Sequence, residues 1–108
     1  MERDMLIIAD PRDLRVQKLR GALFEHDIGV CDATGGEDAS TVLLCITAHT
    51  PIAVLWKLMA ANPNLRVLPA HFSGELPATL AGVKTADFQE GAWDKPLNAI
   101  VRAIHAFC

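Results

Sequence analysis

Asp10, Cys45, His49 and His71 are the side chains of this 108-residue chain best suited by type and place to do chemistry. Each stands in or just beyond a short apolar run: Met5–Ala9 before Asp10, Thr41–Ile46 around Cys45 and before His49, and Leu65–Ala70 before His71. If those runs are neighbouring parallel strands, their carboxyl ends open onto one cleft, with Asp10, Thr47, His49 and His71 as its candidate residues. A thiol within reach of an imidazole is a nucleophile with its base. Cys45 lies inside its run, however, where a free cysteine packs as a small core residue, so burial is its expected role and the cleft rim or surface that of the histidines.

Other chemistries lack their residues. From Ala39 to Gly74 there is no aspartate or glutamate, although this stretch holds the strand-helix-strand centre where nucleotide chemistry would normally put carboxylates. His26, His49, His71 and His105 contain no pair at metal-ligand spacing, so no metal and no cofactor are expected. Gly35-Gly36 reads as a turn, since no glycine-rich phosphate loop follows the first strand. Cys31, Cys45 and Cys108 are odd in number and far apart, as in a protein of reduced thiols. The net charge of -3, with Arg12, Arg15, Lys18 and Arg20 interleaved with Asp10 and Asp13, argues against nucleic acid. No run is long enough for a signal-peptide core or a membrane span, and the expectation is a cytoplasmic protein without a membrane partner.

The elements that must position these residues follow from periodicity. Met5–Ala9 is a continuous apolar run, the pattern of a strand covered on both faces. Asp10 is expected to cap a helix reaching about His26, with Pro11 at its first position, an apolar stripe of Val16, Leu19, Ala22 and Leu23, and the basic residues on a solvated face. Ile28–Cys31 gives a second strand and Thr41–Ile46 a central third. The nine residues from Asp32 to Ser40 barely suffice for a parallel crossover, so an abbreviated connection exposing part of the sheet is expected. Thr50-Pro51 reads as a cap and first-position proline for a helix through Ala61, whose apolar set Ile52, Leu55, Trp56 and Met59 predicts Trp56 and Met59 on the buried face. Leu65–Ala70 is a fourth strand, Gly74–Leu80 a loop with room for one helical turn, Val83–Phe88 a weaker fifth strand, and Leu97, Ile100, Val101 and Ile104 stripe a final helix. The order implies one α/β domain over residues 1–108, a flavodoxin-like, doubly wound five-stranded parallel sheet of order 2-1-3-4-5 with a shortened crossover between strands two and three.

Val42–Thr47, the helix carrying Trp56, Arg66–Pro69, Leu76–Leu80 (LPATL) and Thr85–Phe88 (TADF) together resemble a Toll/interleukin-1 receptor (TIR) domain over most of the chain. The resemblance implies an intracellular bacterial signalling or defence role through a protein partner or self-association. It also implies a catalytic glutamate, in NAD-cleaving members, on the helix after the third strand and three residues beyond a tryptophan. Here that pattern reads Trp56-Lys57-Leu58-Met59, and a thioether can neither stabilise developing positive charge nor accept a ribose hydroxyl as a carboxylate does. The implied domain is therefore a non-catalytic pseudoenzyme. Asp32, Thr34, Gly35, Gly36, Glu37 and Asp38 correspond to the variable loop that mediates contacts between TIR domains, and are the candidate interaction loop beside the plainer reading of a solvated connection.

A second resemblance is to response-regulator receiver domains, carried by Leu6–Pro11, Ala61–Val67 and Lys95-Pro96. It implies a pseudo-receiver, because its phosphoacceptor position falls at Cys45 and Asp10 alone would offer magnesium too few oxygens. The arrangement of Lys95 separates the two: receiver-like, it points toward Asp10; TIR-like, it begins the final helix. An enzymatic alternative needs a displaced carboxylate, Glu75 or Glu90, supplied to an NAD-processing cleft. Trp93, beside Gly91 and before a helix start, is a candidate partner anchor, with packing the equal alternative.

Overall fold

A computed structural model describes residues 3–75, 85–91 and 93–107 of the chain. β1 (Arg3–Ile8) is followed by α1 (Leu14–Glu25), β2 (Ile28–Asp32), β3 (Thr41–Ile46), α2 (Ile52–Ala61), β4 (Arg66–His71), β5 (Ala86–Asp87), a 3-10 turn (Gln89–Gly91) and α3 (Asp94–Phe107). The strands form one parallel sheet of order β2-β1-β3-β4-β5, the flavodoxin-like topology expected from the sequence. β3 is buried at every residue because it lies centrally with both faces covered, which is why its sequence is apolar without alternation.

Alternation within the strands sorts the core into two layers. Met5, Ile7, Leu43, Cys45 and Ala70 face α1 and α3, meeting Val16, Leu19, Leu23, Leu97, Ile100 and Ile104. Ile8, Val42, Leu44 and Ile46 face the other way, onto Leu55 and Leu58 of α2. Residues 33–40 cross from β2 to β3 without a helix, as their length foretold. Cys31 pairs in register with Leu6, on the α2 side of the sheet, and is exposed there.

Several local expectations are corrected. Asp13, not Asp10, caps α1, its carboxylate accepting from the Arg15 and Val16 amides, and Pro11 lies in the turn before the helix. Asp10 instead accepts from the Arg12 amide at 3.0 Å, an Asx turn that shifts the helix start. Thr50 does not cap α2: its hydroxyl turns back to the Cys45 carbonyl at 2.7 Å, and the cap residue is Pro51. Trp56 and Met59 are not on the buried face, being 41% and 39% exposed. The buried stripe follows Leu55, Leu58 and Asn62, which leaves Trp56 and Met59 on the adjoining face of the helix. Of the basic row, Arg12, Arg15 and Lys18 are exposed as expected and Arg20 is half-buried. β5 is limited to Ala86–Asp87; Val83 and Lys84, and all but Gly74 and Glu75 of the expected 74–80 loop, lie outside the described residues. No helix of the described residues is long and apolar enough to cross a membrane.

Candidate functional site

The carboxyl ends of β1, β3, β4 and β5 meet as the topology requires, and the side chains there are held in place. Asp10 follows β1 and is nearly buried; its Oδ1 also takes Arg12 Nε at 3.3 Å. The Arg12 backbone N–H, then the Arg12 side chain, and more weakly the charge of His49, hold its carboxyl below the usual range, although burial opposes the shift. Beyond β3, the Thr50 hydroxyl accepts from the Thr47 amide at 2.7 Å, and Thr47 Oγ1 accepts from the His49 amide at 3.2 Å. This knot leaves His49 exposed. Beyond β4, His71 Nε2 lies 2.8 Å from the Gly74 carbonyl oxygen and 3.5 Å from Gln89 Nε2. Gly74 has φ +76, and a Cβ there would lie 3.0 Å from the Ala48 backbone nitrogen, so the β3 and β4 loops touch through a position that suits glycine alone.

The structure thus brings Asp10, Thr47, His49 and His71 to one end of the sheet and adds Asp87, which pairs in register with His71 and accepts from the Gln89 amide at 2.9 Å. Asp87 escaped sequence reading as a cleft residue because the short fifth strand gave no clear end. Cys45 does not join them. Its side chain is fully enclosed between the sheet and the α1–α3 layer, and burial, with a smaller contribution from the charge of Asp13, pushes its thiol up to about 12. A thiol so protonated is no nucleophile. Glu75 is exposed in the loop after β4, and the Glu90 side chain lies outside the described atoms. Among the described residues no group of three or more His, Cys, Asp or Glu could hold a metal ion.

The candidate interaction loop is built rather than loose. Both Glu37 carboxylate oxygens accept from the Thr34 amide, one also from the Thr34 hydroxyl at 2.9 Å and the other from the Gly35 amide at 2.9 Å. The Thr34 bonds chiefly, with that from Gly35, lower the Glu37 carboxyl to about 2. Gly35, at φ +103, rests on Lys57 of α2, where a Cβ would come within 2.8 Å of the Lys57 Cβ. Asn62, buried at the end of α2, donates to the Glu37 and Leu58 carbonyls and accepts from the Ala39 amide at 2.9 Å. Asp32 pairs with Arg20 at 2.9 Å, leaving exposed Asp38 as the loop acid without a partner among the described residues. Gly36 is exposed.

Trp93 packs as well as faces outward. Its ring lies 5.3 Å from that of Phe88, which stacks on Phe72 at 4.6 Å, and Lys18 Nζ sits 4.1 Å above the indole. Arg15 reaches the same cluster, donating to the Phe72 carbonyl at 2.9 Å with its guanidinium 5.4 Å from the Phe72 ring. The basic face of α1 is therefore tied to the aromatic residues around β5, a long-range pairing invisible to helical periodicity.

Neither a protein-family model, a curated protein nor a solved structure matches this chain.

Proposed function

We propose that this chain is a TIR-like association domain without NAD hydrolase activity, binding a protein partner or a second copy of itself through the outer face of α2. The observation that carries the reading is the neighbouring pair Trp56 and Met59, 41% and 39% exposed on a helix with no acidic residue. Tryptophan and methionine are enriched where protein surfaces meet, and a half-exposed indole supplies contact area at little entropic cost. The loop locked onto α2 through Gly35 and Asn62 makes the adjoining surface rigid, so little order has to be gained on binding. A bacterial signalling or defence setting comes from the TIR resemblance alone.

Lys95 favours this reading over a pseudo-receiver. It is the second residue of α3, the start of the final helix as in the TIR-like arrangement, and it lines the same pocket as Thr85 and Ala86.

Sedimentation velocity over a range of concentrations tests the association. Wild-type protein should form larger species as concentration rises, and Trp56→Glu with Met59→Lys should remain monomeric with an unchanged circular dichroism spectrum. Unchanged assembly in the double variant would reject the α2 face. A strictly monomeric wild type that also retains the same proteins from a lysate as the double variant would reject the reading altogether.

A further inference from the structure

A pocket of about 760 Å³ opens between α3 and the β4–β5 edge, within the size range of small-molecule sites. Residues Arg66–Pro69 of β4 border the pocket, and the small side chains of Ala99 and Ala103 on α3 leave space there. Leu68, Ala86 and Ile100 complete an apolar floor.

The charged residues among the described lining, Arg66, Lys95 and Arg102, are all cations, in a chain whose net charge is -3. Lys95 and Arg102 are exposed, and neither has an ion-pair partner among the described residues. They are seven residues apart on α3, hence on one side of the helix and roughly 10 Å apart along its axis, with Ala99 and Ala103 alongside them. Their stems are long enough for both heads to turn toward one anion at the pocket mouth.

We propose that this pocket binds a small amphipathic anion, a carboxylate or phosphate monoester on an apolar chain. The chain lies on Leu68, Ala86, Ala99, Ile100 and Ala103, and the head group meets Lys95 and Arg102. Inorganic phosphate lacks the apolar part, and a neutral chain forgoes the charge-assisted hydrogen bonds.

The test is methyl NMR of the whole protein titrated with decanoate or decyl phosphate below their micellar concentrations, with decanol and acetate as controls. Saturable shifts at Ala99, Ile100 and Ala103 are expected for both amphipathic anions, and the tighter of the two identifies carboxylate or phosphate as the natural head. Lys95→Gln with Arg102→Gln should weaken the anions by about tenfold or more while leaving decanol unchanged. Ala103→Leu should weaken anions and decanol alike by filling the floor; if that variant does not fold, the exposed charge variant still decides. No saturable shift, shifts centred on Trp56 and Met59, or undiminished anion binding by the charge variant would overturn the proposal.

Discussion

At the scale of single residues, Glu37 carries the clearest physical consequence. Its carboxylate replaces the missing crossover helix as the acceptor for the Thr34 and Gly35 amides, and the resulting preference for the charged form brings its pKa to about 2, against 4.5 for an ordinary glutamate. A carboxyl depressed on folding contributes stability that is fully present above the unfolded value, and loses it as pH falls from about 4.5 through about 2. Thermal melts of wild type should therefore show a fall in Tm across that window. In Glu37→Gln the fall should be shallower and the neutral-pH Tm lower, because the amide oxygen accepts more weakly than the carboxylate. Equal slopes in the two proteins would mean that the Glu37 bonds do not persist in solution.

At the scale of elements, the crossover and α2 act as one piece because Asn62 joins them. Its buried amide serves the Ala39 N–H and the carbonyls of Glu37 and Leu58, so Asn62→Ala takes this partner from the Ala39 N–H and the Glu37 carbonyl of the crossover, whereas the Leu58 carbonyl keeps the backbone N–H of residue 62. An orphaned group costs about 1–3 kcal/mol when buried, and with these two part-buried a loss of roughly 2 kcal/mol in urea unfolding is expected. Amide hydrogen exchange should at the same time quicken across residues 33–40 while β3 stays protected. A loss below about 0.5 kcal/mol, the range of ordinary surface substitutions, would show that the crossover is not pinned. The strands and helices themselves were legible because their apolar runs and stripes answer to local geometry, as with Thr41–Ile46 and the Leu97–Ile104 stripe. What was not legible depended on partners distant in sequence or on a choice between adjacent helical stripes. Asn62 read as a helix stop and not as a bridge, and Trp56 and Met59 fell on the wrong side of α2 because one turn offers apolar residues in both directions.

At the scale of the whole molecule, the topology decides which residues can share a site. The 2-1-3-4-5 order brings Asp10, Thr47, His49 and His71 to one end, as reading the strand ends anticipated, and it adds Asp87 through a register that no spacing reveals. The same order bears on Met59. α2 starts near the carboxyl end of β3 and runs back along the sheet, so a residue seven positions beyond Ile52 lies roughly 10 Å down the helix from that end. Its partial exposure on the outer face points the same way. Placing a carboxylate there would put charge on a surface, where it could not stabilise a cation forming in the cleft. Purified protein incubated with NAD should accordingly release no nicotinamide above a buffer control, and Met59→Glu should not confer turnover while weakening concentration-dependent sedimentation. Turnover gained by Met59→Glu would instead mean that this position reaches the reacting atoms and that a carboxylate is all the cleft lacks for NAD cleavage.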